Sequence, residues 1–243
     1  MRFIPKQGEP AALRDWKRDM KARAPQNLNY SNLPADVKDE VKRELLIEQG
    51  HLCAYTMRRL SGLDDCHIEH IEPQSSAPNK DLIFSNMAAC FPKNGGDVSA
   101  GYGAPIKADR LVTLNVDFVS PHRAGCDRRF QYDAAGAVGA VLGDAVAKQT
   151  IDTLQLNHDG LMDLRRIAVQ AHGLAVARQA TRTSRKLKSA TEARRFATEV
   201  LQADAQGLLE PFCLALAQVA LDYASKEDAR SQGLRQSHGS GRT

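Results

Sequence analysis

Aromatic side chains are scarce in this sequence of 243 residues: they make up 5% of it and include a single tryptophan, Trp16. A core with so few large rings must be built mainly from alanine, leucine, valine and isoleucine, which suits packed helices better than a β-sandwich. The hydrophobic content of 42% is ordinary for a globular chain. We therefore expect a mainly α protein of the α+β class.

Long apolar runs and an even set of cysteines are also lacking. No run reaches the roughly 20 residues that a membrane-spanning helix needs, so we expect no membrane partner. The five cysteines are odd in number, and the start of the chain, residues 1–6, has no signal-peptide pattern. Both observations argue against a secreted disulfide framework and predict a cytoplasmic protein.

The charge of the whole chain is only mildly basic. A formal net charge of +4 fits an enzyme of any kind about as well as a nucleic-acid binder. One stretch is different, because between residues 178 and 195 the only acid is Glu192 and the basic residues are Arg178, Arg182, Arg185, Lys186, Lys188, Arg194 and Arg195. This stripe is either a solvated helix face or a surface for phosphate contacts.

Composition and periodicity divide the chain into four predicted segments. Prolines and polar residues make the first an arm, while glycine-rich stretches mark an insertion within the second. Helical periodicity dominates the third, and the fourth is so poor in apolar residues that we expect disorder. The segments are an N-terminal arm over 1–34, a core with its insertion over 35–143, a helical region over 144–226 and a tail over 227–243.

The core segment is predicted to contain a short β-hairpin. An amphipathic helix over 35–49 is followed by two strands around a turn at 61–65, and the second strand covers 66–71. A short helix is then predicted over 82–90. Strand, strand, loop and helix therefore follow in order.

Within that core, 28 residues hold five side chains that suit phosphodiester hydrolysis: His67, Glu69, His70, Asn86 and Asn94. Such hydrolysis needs a general base to activate water and a hard cation to stabilise the developing negative charge. A histidine at a strand end can be the base, and carboxylate and carboxamide oxygens suit Mg²⁺ or Mn²⁺. Strand alternation places His67 and Glu69 on the face opposite to His70.

This pattern resembles the HNH, or ββα-metal, endonuclease family, in which an acidic residue and His are followed by Asn and then by His or Asn. Here Glu69 and His70 are followed by Asn86 and Asn94. The resemblance is closest to the HNH nucleases of bacterial anti-phage defence systems, of the Septu and retron-associated kind. It covers about residues 45–165, in the stretches 46–55, 67–73, 119–122, 126–133 and 150–157.

The resemblance implies a fold and a role for each motif residue. The fold would be a ββα-metal core with a helical C-terminal region. His70 would be the general base, and Asn86 would tether the following loop and orient that base. Glu69 and Asn94 would bind Mg²⁺ or Mn²⁺. His67 is either a partly buried structural residue or a group that supports or extends the metal site.

Further expectations concern zinc and partners. Relatives hold a structural zinc with two Cys-x-x-Cys pairs, but Cys53 and Cys90 each lack the second cysteine here, so we do not expect structural zinc. The resemblance implies a DNA substrate and an ATPase subunit encoded alongside. Candidates for nucleic-acid contact are Lys93, Arg182, Arg185, Lys186 and Lys188, with Lys107 and Arg110 as further ones.

Two alternatives stay open at this point. The chain is either an active nuclease or a nucleic-acid-binding or complex-forming subunit whose catalytic site has decayed. If it is active, its substrate is either DNA or RNA.

Overall fold

The computed structural model describes residues 1–175 and 189–239, with side chains of the second range as far as residue 230. Over these residues it contains seven α-helices and four short β-strands. The helices are α1 (Ala11–Arg23), α2 (Ala35–Glu48), α3 (Ala104–Lys107), α4 (Ala145–Thr153), α5 (Asp159–Ala171), α6 (Ala190–Glu199) and α7 (Cys213–Gly239). The strands are β1 (His67–His70), β2 (Met87–Cys90), β3 (Phe130–Tyr132) and β4 (Val138–Ala140). The chain is thus α+β and mainly helical, as expected.

The first sheet consists of β1 and β2, which run antiparallel, with His67 opposite Cys90 and His70 opposite Met87. The prediction of a hairpin between the strand over 66–71 and the segment before residue 61 is therefore wrong. That earlier segment forms only an isolated bridge between Leu52 and Arg59.

Strand β2 also replaces the helix predicted over 82–90. Its four residues are all buried, and a short apolar run of this kind does not distinguish strand from helix by periodicity. A long-range contact decides the outcome. The side-chain amide of Gln49 donates to the carbonyl of Ala89 at 2.9 Å and accepts from its N–H at 2.8 Å. The outer edge of β2 is thereby hydrogen-bonded although no third strand of the described chain lies beside it.

The N-terminal segment packs against the core. Leu13 of α1 and Ile4 before it are buried, and the Ile4 N–H donates to the carbonyl of Pro121 at 2.9 Å. The amphipathic helix predicted over 35–49 is confirmed by α2, and Gly50 after it adopts a positive φ of 58°, the conformation typical of glycine beyond a helix end.

The second sheet, β3 and β4, lies against the C-terminal helices. Gln218 of α7 accepts from the Tyr132 N–H at 2.9 Å and donates to the Phe130 carbonyl at 3.0 Å. On the other side of the sheet, Asn157 accepts from the Val138 N–H at 2.8 Å and donates to its carbonyl at 2.9 Å. Side-chain amides therefore bind both edges of this two-stranded sheet.

Helix α7 extends as far as Gly239, so much of the segment 227–243 is helical where we expected disorder. The composition explains this difference. Ion pairs at helical spacing join Lys226 to Asp222 and Arg230 to Glu227, and such pairs stabilise the polar part of α7, which continues from an apolar, buried first half. Among the described helices, none combines the length and apolar character needed to span a bilayer.

The turn between β3 and β4 is fixed by α5. Arg165, which is 2% exposed, donates to the carbonyl of Gly136 at 2.6 Å and to that of Leu156 at 2.7 Å. Gly136 has a φ of 88°, and a Cβ at this position would lie 2.1 Å from the carbonyl oxygen of Met162. The turn therefore requires glycine for its backbone conformation and for its contact with α5.

We predict that Gly136→Ala destabilises the protein much more than Gly143→Ala. Gly143 has a similar φ of 81° but open space around it, so its substitution should cost only the left-handed strain of about 1–2 kcal/mol. Gly136→Ala adds a clash with a helix carbonyl, which brings the loss to about 3 kcal/mol or more. Urea unfolding of both variants measures this difference, and equal losses would contradict the packing argument.

Candidate active site

A cavity of about 280 Å³ lies over β1. Its lining includes the predicted residues His67, Glu69 and His70, together with Pro73, Gly95, Gly96, Ala104 and Asp109. A larger cavity of about 820 Å³ lies between β3, β4 and α7. The smaller cavity is the better candidate for an active site, because histidines and a partly buried carboxylate, which acid–base chemistry needs, line it. None of the predicted residues lines the larger cavity.

Glu69 forms an ion pair that is largely buried, with the side chain of Lys107 1% exposed and that of Glu69 12% exposed. The ammonium of Lys107 donates to Glu69 Oε1 at 2.8 Å and to the His70 carbonyl at 3.2 Å, and the Tyr55 hydroxyl donates to the same Oε1 at 3.3 Å. Burial alone would raise the pKa of Glu69, but His67 and Lys107 more than offset it and lower the pKa below its ordinary value. Glu69 is therefore a carboxylate at neutral pH.

His67 lies beside Glu69 on the same strand face. Its Nδ1 is 2.5 Å from the carbonyl oxygen of Pro92, and since a carbonyl only accepts, Nδ1 must carry a proton. The other nitrogen, Nε2, is 3.6 Å from Glu69 Oε2. Burial lowers the pKa of His67, whereas Glu69 and the Pro92 carbonyl raise it, and the net shift is upward. A Cβ at residue 95 would lie 2.9 Å from the His67 ring. The loop that contains Gly95 can therefore pack this closely against His67 because that residue is glycine.

His70 is buried and held by a single backbone acceptor. Its Nε2 lies 2.8 Å from the Asp81 carbonyl, so this nitrogen carries the proton and Nδ1 is the one with a free lone pair. The edge of the ring meets Tyr30, with centroids 4.6 Å apart at 88°. Burial lowers the pKa of His70 below its ordinary value, so the imidazole is neutral at neutral pH, as a general base must be.

Asn86 ties down the loop that follows His70. Its Oδ1 accepts from the Glu72 N–H at 2.9 Å, and its Nδ2 donates to the carbonyls of Glu72 at 3.0 Å and Lys80 at 3.3 Å. Asn86 is buried directly before β2. One side chain therefore joins both ends of the loop over 72–80, and the loop leads to Asp81, whose carbonyl holds His70.

Asn94 is the motif residue that the structure does not bring to the others. It is exposed on the loop after β2, its Oδ1 accepts from the Gly96 N–H at 3.0 Å, and it does not line the cavity. The first helix after the sheet is α3, which begins ten residues after Asn94. Its last residue, Lys107, is the one that contacts Glu69. The third polar group of the site is thus a lysine ammonium.

The comparisons with known proteins identify no family. No family model matches the chain, and no curated protein matches it.

The remaining predicted residues lie away from the cavity or outside the described part of the chain. Lys93 is 63% exposed and forms an ion pair with Asp64. The basic residues Arg182, Arg185, Lys186 and Lys188 fall outside the described residues, as does Arg178. The last two members of the stripe are paired with acids, Arg194 with Asp228 and Arg195 with Glu199.

The cysteines considered for zinc lie in the core. Cys53 and Cys90 are both buried free thiols, and Cys53 Sγ accepts from the Phe91 N–H at 3.4 Å. Among the side chains described in residues 1–175 and 189–230, no three of the His, Cys, Asp and Glu types are placed to hold one metal ion together.

Two donors in the cavity nevertheless fit a divalent cation. Metal–ligand distances of about 2.0–2.2 Å allow two donors on one ion to lie up to about 4 Å apart, and the separation of 3.6 Å between His67 Nε2 and Glu69 Oε2 falls within this range. The proton on His67 Nδ1 leaves Nε2 as the coordinating atom. Glu69 and His67 are thus two donors whose spacing allows a shared cation; the sequence predicted Glu69 and Asn94.

Sequence reasoning missed the roles of Lys107, Asp81 and Gly95. The sequence contains a signal for the position of Lys107. Gly103, Ala104 and Pro105 begin a short helix with proline in its first turn, and Lys107 is the last residue of that helix. The sequence contains no signal for the role of the Asp81 carbonyl, since every residue type supplies a backbone carbonyl.

We predict that Asn86→Ala loosens the loop over 72–80. The variant loses three buried hydrogen bonds and should be less stable by about 2–3 kcal/mol, at roughly 1 kcal/mol for each bond. Asn94→Ala is the matched control, because this exposed amide accepts one local bond and its loss should cost about 0.5 kcal/mol or less. Urea unfolding and hydrogen exchange at the Glu72 amide measure the effect. Unchanged exchange in Asn86→Ala would refute the tether.

His122 contacts Ser85, the residue before Asn86, and its environment predicts how the stability of the fold depends on pH. Its Nδ1 contacts the Ser85 carbonyl at 2.9 Å, while Nε2 is buried with no hydrogen-bond partner among the described residues. Burial, assisted by the Lys6 ammonium, lowers the pKa of His122 from 6.5 to about 4. The unfolded chain therefore takes up a proton at higher pH than the folded protein does.

This proton uptake should destabilise the fold as pH falls from about 6.5 towards 4. Between about pH 7.5 and about pH 5, the His122 contribution to the free energy of unfolding should decrease by about 1–2 kcal/mol. His122→Asn keeps a donor for the Ser85 carbonyl but does not titrate, so it should lose less stability over this range. Denaturation midpoints of both proteins at several pH values test this, and parallel curves would contradict the assignment.

Proposed function

We propose that this chain is a metal-dependent endonuclease of the HNH type that hydrolyses phosphodiester bonds in DNA. The observation that carries the proposal is the arrangement of His70. Its imidazole is neutral, its orientation is set by the Asp81 carbonyl, and His70 is among the residues that line the same cavity as Glu69. A neutral base and a carboxylate that line one cavity are groups that water activation requires.

His70 would take a proton from water on Nδ1. As the imidazolium forms, the Asp81 carbonyl that accepts from Nε2–H stabilises the added charge and keeps the ring in place. Asn86 acts through the loop, since it fixes the chain between His70 and Asp81. It is a positioning residue rather than a group that reaches the substrate.

Glu69 and His67 would bind a divalent cation, Mg²⁺ or Mn²⁺. A bound cation would supply stabilisation for the negative charge that develops on the phosphate and on the leaving oxygen. The imidazole donor favours Mn²⁺ over Mg²⁺, because Mg²⁺ prefers oxygen ligands alone. We therefore propose His67 in the ligand role that the motif pattern gives to Asn94.

The proposed cellular context rests on the resemblance. It is that of a nuclease effector in a bacterial anti-phage defence system, with an ATPase subunit encoded alongside and DNA as the substrate. The mildly basic chain and the basic residues between 178 and 195 are compatible with phosphate contacts.

Two observations favour a second function, that of a DNA-binding subunit without catalysis. The carboxylate of Glu69 is already paired with Lys107, and Asn94 lies apart from it. A site in which a lysine neutralises the carboxylate would retain its shape but would no longer bind a cation.

We predict that His70→Ala abolishes nicking of supercoiled plasmid DNA in Mg²⁺ or Mn²⁺ buffer. Loss of a general base should reduce the rate by about 10²–10⁴-fold, and EDTA should abolish cleavage by the wild type. His172→Ala is the matched control, because His172 pairs with Glu210 and does not line the cavity. It should cut at the wild-type rate, and circular dichroism should verify that both variants are folded.

The outcomes separate the alternatives when the assay is run with and without the coexpressed ATPase. Cleavage by His70→Ala at the wild-type rate would refute the assignment. A shift in DNA mobility with no cutting under any condition would support the binding subunit. Cleavage of an RNA transcript but not of plasmid would support an RNA nuclease.

A further inference from the structure

Two of the five cysteines, Cys53 and Cys90, lie side by side in the core. Their side chains are hydrogen-bonded to each other, and both are free thiols that are at most 1% exposed. In the part of the chain that the structure describes, no third histidine, cysteine, aspartate or glutamate joins them in a group that could hold a metal ion. A facing pair of thiols of this kind can be oxidised to a disulfide.

The backbone segments that carry the two cysteines are held beside each other. The Ala54 N–H donates to the Ala89 carbonyl at 3.2 Å, and the Phe91 N–H donates to Cys53 Sγ at 3.4 Å. Residues next to each cysteine are therefore bonded to the opposite segment. Because a disulfide requires its two backbone segments to lie close together, the sulfurs can be joined here without a large backbone movement.

The two sulfurs differ in their protonation. Burial raises the pKa of Cys53, but hydrogen bonds from Cys90, Thr56 and the Phe91 N–H more than offset it, and the net shift is downward. Burial raises the pKa of Cys90, and the hydrogen bond to Cys53 raises it further. Cys53 is therefore the thiolate, which is the nucleophilic form, and Cys90 is the thiol that donates to it.

A small cavity gives access to Cys53. Its volume is about 10 Å³, and its lining includes Cys53, Leu52 and Arg2, of which Arg2 is partly exposed. This volume is close to the least that holds one water molecule. A bulky oxidant is therefore excluded, and hydrogen peroxide, which is close to water in size, is the two-electron oxidant that fits best.

We propose that Cys53 and Cys90 form a redox modification site, in which hydrogen peroxide converts the two sulfurs to a disulfide. The Cys53 thiolate attacks one peroxide oxygen: an S–O bond forms, the O–O bond breaks, and the leaving hydroxide takes up a proton to become water. The Cys90 sulfur then attacks Cys53: the S–S bond forms, the S–O bond breaks, and the second hydroxide leaves with the Cys90 proton as water. Each sulfur loses one electron, and the peroxide gains two.

The disulfide closes a covalent ring around the candidate active site. Residues 53–90 include β1, Asn86 and the loop over 72–80, and Cys90 lies opposite His67 in the sheet. A link across this ring removes conformational freedom from the unfolded chain. Oxidation therefore protects the site against unfolding, and this effect does not depend on the proposed nuclease function.

The test treats the reduced full-length chain with hydrogen peroxide, blocks the remaining thiols with N-ethylmaleimide and digests the protein with trypsin without reductant. Basic residues separate all five cysteines in the sequence, so each pairing gives a distinct product. We expect the peptides 44–58 and 81–93 to be joined, the intact protein to lose two hydrogens in mass, and the other three cysteines to be alkylated.

Two variants test the order of the steps. Cys90→Ala removes the second sulfur, so a sulfenic acid should persist at Cys53 and react with dimedone. Cys66→Ala is the matched control, because this buried thiol donates to the Gly62 carbonyl at 3.6 Å, and its loss should leave the link between Cys53 and Cys90 unchanged. If Cys90→Ala does not fold, the peptide map of the wild type still decides.

The linked protein should melt roughly 5–10 °C above the reduced protein, which is the shift expected of a disulfide in a chain of this size, and dithiothreitol should reverse the change. Absence of the link in peroxide-treated folded protein, a link that involves Cys66, or a zinc ion that the wild type retains and Cys53→Ala loses would overturn the proposal. An unchanged melting temperature of the linked protein would overturn the protection of the site.

Discussion

The largely buried ion pair between Glu69 and Lys107 is the interaction on which the candidate site depends. It joins β1 to α3, and Lys107 also binds the His70 carbonyl. A buried pair is tolerated only when its remaining donors and acceptors are satisfied, and loss of one partner leaves an uncompensated charge that costs about 3–5 kcal/mol. The position of Glu69, and with it that of His67, is therefore set by a helix that lies far along the chain from β1.

A second constraint recurs throughout the fold: side-chain amides bind backbone groups at strand edges and in a loop. Gln49 binds β2, Gln218 binds β3 and Asn157 binds β4, each through one donor and one acceptor. Asn86 does the same for Glu72 in the candidate site. Isolated two-stranded sheets are marginal in water, and these amides complete the hydrogen bonding that a further strand would provide.

Local patterns predicted the parts of this molecule that depend on local sequence. The helix at 35–49 and the strand containing His67, Glu69 and His70 follow from periodicity and alternation. The partner of that strand could not be predicted from local patterns. A run such as Met87–Cys90 is compatible with either helix or strand, and its strand conformation is supported by the distant Gln49. Likewise the motif pattern pointed to Asn94, whereas the group that contacts Glu69 comes from α3. Contacts between distant segments decide these points.

The capping of β3 and β4 has a consequence for assembly. A partner that binds by adding its own strand needs an edge with unpaired N–H and C=O groups. Gln218 occupies the outward groups of Phe130 and Tyr132, and Asn157 occupies those of Val138. Strand addition to this sheet would have to displace an amide on either side, so a protein that docks here must recognise side-chain surfaces and helices rather than backbone.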